Sequence, residues 1–221
     1  MMIYNQEWDT KQLLITETFT SIQGEGRYIG IPMMFIRTNR CNLRCTWCDS
    51  TYTFQGGKEI PMKELIEAVG NYPNEWVCFT GGEPLLQREA LEFVDALGTM
   101  GKKVLLETGG SLPIMKMAER DWVFIDMDVK TPSSGEQKTL HLENLKFLRK
   151  QDYIKFVIKD EIDLQYAFDF IDRHNPSVEV LFQPAWGTSA TWLTEEVLRS
   201  RRNIRVLMQL HKIIWGERRG V

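Results

Sequence analysis

The sequence has no apolar run near the ~18 residues that a membrane-spanning helix needs. It also has no low-complexity tract and no repeat of solenoid type. Charge of one sign is missing too: 27 Lys and Arg stand against 30 Asp and Glu, a net of -3. Nucleic-acid modules usually carry a marked basic excess, so neither a direct nucleic-acid partner nor a membrane partner is expected. The opening stretch, MMIYNQEWDTKQLL, is interrupted by acidic residues and leads into no apolar core of a secretion signal. A cytoplasmic location is the expectation. Four cysteines in 221 residues are too few for a disulfide-stapled scaffold. The hydrophobic share, 43%, suffices for a sizeable core in a single domain with at most a small extension. Against this ordinary background, three of the four cysteines fall between positions 41 and 48.

Short β-rich runs alternate with amphipathic helical segments along the chain. The runs are 31–37, 76–80, 103–107, 122–126, 153–159, 178–183 and 204–209, preceded by one near 13–19. Helical periodicity is clearest over 86–98 and 161–174, with further candidates at 140–150 and 193–201. Such alternation implies right-handed βαβ units and a parallel sheet. Nearly every run ends in a polar or glycine-rich signal: the cysteine cluster, Thr80-Gly81-Gly82-Glu83-Pro84, Glu107-Thr108-Gly109-Gly110, Asp128-Val129-Lys130, Gln183-Pro184, then Gln209 and His211. A βα barrel builds its active site from a ring of such loops, whereas a doubly wound sheet concentrates its signals at one switch point. About seven strands are one short of a closed barrel. The expected fold is therefore α/β, a shortened and incomplete TIM-like βα barrel.

Cys41, Cys45 and Cys48 form a CxxxCxxC array on the loop leaving the first run. Three thiolates this close can converge on one metal centre but cannot all pair as disulfides. A structural zinc site usually takes four ligands, often as two separated pairs, and no second pair exists here. Cys78 lies within 76–80, where a small buried hydrophobe is expected. Most iron–sulfur clusters use four cysteines, so three would leave one iron open to an outside ligand. A zinc-binding module stays as the non-enzymatic alternative.

The array, with Trp47 before its last cysteine and GGEP ending the next run, resembles the radical S-adenosylmethionine (radical SAM) superfamily. The resemblance implies a short barrel and a 4Fe-4S cluster on Cys41, Cys45 and Cys48. The open iron of that cluster binds SAM, whose reductive cleavage yields a hydrogen-abstracting 5′-deoxyadenosyl radical. More specifically, FTSIQGEG (19–26), Gly30-Ile31-Pro32, Phe35-Ile36-Arg37, Cys48-Asp49-Ser50 and Gln209-Leu210-His211-Lys212 resemble the 7-carboxy-7-deazaguanine synthase family. That family converts 6-carboxy-5,6,7,8-tetrahydropterin to 7-carboxy-7-deazaguanine with release of ammonia, in queuosine and archaeosine biosynthesis. A glycyl-radical activase, which needs no Gln23–Glu25 motif, is the alternative within the superfamily.

A pterin presents an edge of alternating donors and acceptors plus one carboxylate. Gln23, with the backbone of Ile22 and Gly24, suits that edge. Glu25 can accept from ring N–H groups, and Arg37 can clamp the carboxylate with two prongs. The resemblance adds Thr80 and His211 on the substrate side, with Glu25, Glu107 and His211 as candidates for proton handling. For SAM it implies Trp47, Gly81, Gly82, Glu83, Glu107, Asp128, Val129, Lys130 and Gln183. Gly109 replaces a common Asn in its ETxG motif, and Asp-Val-Lys stands where some relatives have Ser-Pro-Lys. Ser50, in place of the usual threonine, is implied to bind Mg2+, a cation that favours oxygen ligands. The expected organisation is one radical SAM domain, 1–221, whose N-terminal extension, about 1–28, contributes to the substrate site. A homodimer and a flavodoxin or ferredoxin electron donor are also implied. The clusters Arg199-Ser200-Arg201-Arg202 and Arg218-Arg219 are expected to be solvated helix and tail charges.

Overall fold

A computed structural model describes residues 6–221; the first five residues of the expected N-terminal extension lie outside the described residues. Nine strands form one sheet: β1 (Gln12–Ile22), β2 (Pro32–Thr38), β3 (Lys58–Pro61), β4 (Trp76–Gly81), β5 (Lys103–Thr108), β6 (Val123–Asp128), β7 (Tyr153–Ile158), β8 (Glu179–Pro184) and β9 (Arg205–Val206). Their order is β3-β1-β2-β4-β5-β6-β7-β8-β9, with β1 antiparallel to both neighbours and β2 through β9 parallel. The parallel strands follow one another in chain order, so the sheet has no switch point and winds in one direction, as barrel strands do. Its ends, β3 and β9, do not pair with each other. The barrel is open, as the strand count anticipated.

The helices are α1 (Met62–Gly70), α2 (Ala90–Thr99), α3 (Met115–Ala118), α4 (Glu161–His174), α5 (Ala190–Ser200) and α6 (Leu210–Trp215). Strand alternation separates two apolar layers. Val77 and Phe79 of β4, Val104 and Leu106 of β5, and Ile154 and Phe156 of β7 face the helices. The intervening Trp76, Cys78, Leu105, Tyr153 and Leu181 fill the inside of the sheet with Met33 and Phe35. Cys78 is the buried core residue that its position suggested. Beside it Tyr28, Trp76, Phe124 and Tyr153 pack ring to ring, with centroids 4.8 to 6.1 Å apart, and close the amino-terminal end of the sheet's interior.

Three expectations change. The 140–150 segment is only a 3-10 turn (Leu142–Lys146), because Asn144 is buried and ties it to Gly110 O, Leu112 O and Ile114 N instead of presenting a helical face. The last strand is two residues long: after Val206 the chain turns inward, and Leu210 N bonds Gly24 O at 2.8 Å. His211 therefore sits in the first turn of α6, not at a strand end. The unexpected β3 is a short, mostly exposed edge strand whose Lys58, Glu59 and Pro61 discourage further pairing.

Asp152 is a concentrated source of stability. Fully buried, it accepts from Ile125 N (2.8 Å), Arg149 N (2.8 Å) and the Arg149 guanidinium (2.9 and 3.1 Å), stapling the turn before β7 to β6. Asp152→Ala strands two N–H groups and a guanidinium, so a loss of about 3 kcal/mol is expected, or roughly 6–12 °C in Tm by thermal denaturation.

Candidate active site

The carboxyl ends of the parallel strands surround a cavity of about 1000 Å3. Inward positions at successive strand ends supply its walls: Arg37 of β2, Thr80 of β4, Glu107 of β5, Asp126 and Asp128 of β6, Lys155 of β7 and Gln183 of β8, with Gln209 and His211 beyond β9. Residues 22–25 and the three clustered cysteines complete it. The structure thus brings most of the expected site residues into one space.

At one end lies the cysteine loop. It is anchored from both sides: Arg40, in a left-handed conformation (φ 73°), donates its N–H to Thr53 O, and its own carbonyl accepts from Glu83 N at 2.9 Å. Gly82 N bonds Thr38 O at 3.2 Å, and a Cβ on Gly82 would lie 2.1 Å from the Arg40 oxygen. Glycine is needed here because two backbones touch. Glu83 is fully buried, accepting from Leu85 N (3.1 Å), Thr108 Oγ1 (2.9 Å) and Gly109 N (2.8 Å). It joins the loops after β4 and β5 and does not line the cavity. Val129 does not line it either; it is buried, and its N–H bonds Lys155 O. These two expected SAM contacts are supports behind the wall.

Cys41, Cys45 and Cys48 are half-buried, free thiols facing the cavity. Burial pushes all three up, Cys45 to about 11, with neighbouring thiols adding to the shift at Cys41 and Cys45, Asp49 adding to it at Cys48, and the Lys130 ammonium opposing it at each. Nearby groups are short of partners: the Trp47 Nε1 donor and the Gln183 Oε1 acceptor are buried and unbonded. Lys130 pairs with Asp128 at 2.6 Å and lies 5.9 Å from the centre of the Trp47 ring.

At the other end, Glu25 accepts from Lys155 Nζ at 2.9 Å and Gln209 Nε2 at 2.8 Å. Burial alone would raise its carboxyl, but Lys155, Gln209 and His211 together hold it far below the usual carboxylate range. The Gln23 amide is committed within the protein: its oxygen accepts from Glu25 N (3.0 Å) and its nitrogen donates to Glu107 (2.8 Å). Gln23 orients the two acids, leaving the backbone of residues 22–24 to face the cavity. Gly24 packs against His211, whose Nδ1 would be 2.1 Å from a Cβ there.

Arg37 Nε binds Glu17 at 2.9 Å, and its two terminal nitrogens carry no hydrogen bond among the described residues. Glu17 also accepts from Tyr52 OH (3.2 Å) and Arg219 Nε (3.1 Å), and the Arg219 guanidinium lies 3.6 Å from the centre of the Tyr52 ring. Arg219, on the tail and half exposed as expected from sequence, also lines the cavity through this pairing. Ser50 occupies the N-cap of the 3-10 turn Thr51–Thr53 without capping it; its hydroxyl donates to Asp49 at 3.1 Å, while Lys212 pairs with the other Asp49 oxygen at 3.0 Å.

Comparison with known proteins places the chain in a family. The family model described as the radical SAM superfamily matches residues 35–159, more than half of the chain. A 7-carboxy-7-deazaguanine synthase from Thermoplasma acidophilum is 53% identical over 95% of this chain and its own full length. Another, from Koribacter versatilis, is 42% identical over 94% of this chain and 99% of its own. The chain belongs to the 7-carboxy-7-deazaguanine synthase family. The crystal structure of QueE from Escherichia coli shares the fold, with a TM-score of 0.77 over 93% of this chain and 97% of that one at 23% identity. SuiB from Streptococcus suis matches less closely, at 0.61 over 79% of this chain and 47% of its own.

Membership sets aside the zinc module and the activase, and it implies a 4Fe-4S cluster and SAM. The residues fit both groups. Three thiols with raised pKa values ionise at neutral pH only on binding a metal centre, and Trp47 and Gln183, each with a buried polar atom left without a partner, line the adjoining space. Among the described residues no three His, Cys, Asp or Glu side chains converge closely enough for a single metal ion. Glu17, Asp126 and Lys155 join the site although no motif in the sequence marks them. A signal existed for the last two, since Asp126 and Lys155 are charges at inward positions of the apolar runs VFIDMD and YIKFVI.

Proposed function

We propose that this chain converts 6-carboxy-5,6,7,8-tetrahydropterin to 7-carboxy-7-deazaguanine with release of ammonia, as the names of its curated relatives suggest. One observation carries the reading: a single cavity joins a three-cysteine wall to a second wall built from Glu25, Arg37 and His211. Cys41, Cys45 and Cys48 hold the cluster, and Trp47, Gly81, Gly82, Asp128, Lys130 and Gln183 hold SAM. Together the two groups supply the hydrogen abstraction that starts the ring contraction. On the opposite wall, the free prongs of Arg37 take the substrate carboxylate. Backbone groups of residues 22–24 and Thr80 read the pterin edge, and ionised Glu25 accepts from a ring N–H. Glu107 and His211 flank the ring as proton carriers.

The Ser50 hydroxyl, which donates to Asp49 and caps no N–H of the turn it begins, offers an oxygen ligand to Mg2+, with substrate and water completing the shell. The chain works as one radical SAM domain in which residues up to about 28 shape the substrate side. It acts in the cytoplasm as a homodimer, reduced by a flavodoxin or ferredoxin; no helix among the described residues is long and apolar enough to cross a membrane. The test is anaerobic incubation of cluster-loaded protein with reductant, SAM, Mg2+ and carboxytetrahydropterin. Mass spectrometry should find the deazaguanine acid and an equivalent of ammonia. SAM cleavage without either product would overturn the assignment.

A further inference from the structure

Lys155 has no part in the chemistry described so far, yet it is among the most enclosed charges in the protein. It points inward from β7, whose neighbouring residues Ile154 and Phe156 face the helices, and it is 6% exposed. Its ammonium touches three carboxylates: Glu25 at 2.9 Å, Asp126 at 3.1 Å and Asp128 at 3.5 Å. Two of these lie on the adjacent strand, where the register sets Asp128 directly beside Lys155. The third comes from the loop after β1, 130 residues away in sequence. Thus one ammonium reaches from Asp128, on the wall assigned to SAM, to Glu25, on the wall assigned to the pterin.

We propose that Lys155 is a positioning residue that keeps the Glu25 carboxylate ionised and fixed towards the substrate and ties it to the β6 carboxylates. The inference rests on the assignment of Glu25 to the substrate side. Other titratable groups face the group from every packed element: Glu107 from β5, Lys130 after β6, Tyr153 on β7 itself and His211 from α6. Carboxylates outnumber ammonium groups here, and burial works against each ionised acid. Asp126 already feels this, pushed up to about 7 by burial despite Lys155. Glu25 stays far below the usual range because Lys155 and Gln209 hold one oxygen each. Without Lys155, burial would dominate, and Glu25 would carry a proton in place of the lone pair that accepts from the ring.

The sign of the effect follows. Wild-type kcat/KM should show no acid limb from Glu25, whose carboxyl is held low. In Lys155→Met that carboxyl rises, so activity falls progressively as the pH is lowered through the neutral range. We expect a loss of about 100-fold near pH 6 and about tenfold near pH 8.5, with cluster content and far-UV circular dichroism unchanged. Lys155→Arg, which keeps the cation, should lack the new acid limb. If Lys155→Met folds poorly, Lys155→Met/Glu25→Gln removes both charges together. Relative to Glu25→Gln it should lose much less than Lys155→Met loses relative to wild type, because the Glu25 part of the lysine's task is already gone and only its contacts to Asp126 and Asp128 remain to be lost. A pH profile of Lys155→Met parallel to wild type, or fully additive losses in the double variant, would overturn the proposal. Wild-type turnover measured alongside separates the two readings: no deazaguanine from wild type overturns both, whereas normal wild-type turnover with an unshifted Lys155→Met profile overturns this one alone.

Discussion

Cys45→Ala is expected to abolish deazaguanine formation and strip most of the iron from anaerobically purified protein, while the chain stays folded. The loop holding Cys45 is fixed by backbone bonds from Arg40 to Thr53 and Glu83, and from Gly82 to Thr38, none of which uses the thiol. The fold thus survives the substitution and the ligand set does not. No other cysteine can substitute: Cys78 is the fourth and last in the chain, fully buried in β4 under the Gln23 amide, 3.7 Å from its nitrogen. Burial pushes the Cys78 thiol well above its ordinary value, so it stays protonated and inert. Cys78→Ala should therefore keep its iron and activity and lose only packing stability. Iron and sulfide analysis with visible absorption decides the matter. Full iron in Cys45→Ala, or loss of iron in Cys78→Ala, would contradict the division of the four thiols.

The second large effect falls on the substrate side. Arg37→Ala is expected to lower kcat/KM for carboxytetrahydropterin by about a thousandfold, the scale of breaking a buried, two-pronged charge contact. Cluster content and SAM affinity should stay as in wild type. The wall around Arg37 is built to survive its loss, because Glu17 keeps Tyr52 and Arg219 as partners. Arg37→Lys should recover only part of the activity, since an ammonium keeps the charge but not the planar fork. Steady-state kinetics at saturating SAM, with iron content measured on the same preparations, tests both variants. Loss of the cluster in Arg37→Ala would show that Arg37 supports the cysteine loop instead.

Much of this was legible in residue order. The alternation of runs and helices led to a parallel, barrel-like sheet, and all seven parallel strands lie where runs were expected, though the last is far shorter. Helix α4 begins at the Asp160 cap and ends at the left-handed Asn175, matching its periodic pattern. The cysteine array and the GGEP turn are local motifs whose spacing carries their chemistry. What stayed hidden was long-range. Glu83 and Val129 belong to the expected motifs yet stand behind the cavity wall. Their direction depends on how two loops pack, which spacing does not encode. Gln23 has the right amide for a pterin edge, but Glu25 and Glu107 claim both its ends.

By itself the sequence determined the three-cysteine array, the direction of winding of the sheet and the family, because each is written in neighbouring residues or in overall similarity. Only the tertiary structure decided that Lys155 stands between Glu25 and Asp126, that Glu17 shares itself between Arg37 and Arg219, and that His211 rides a helix against Gly24. The physical reason is burial. A charge in a strand pattern says only that it points one way or the other. Its pKa, its partner and its task follow from which distant carboxylates the closed-up sheet forces to share the same dry space.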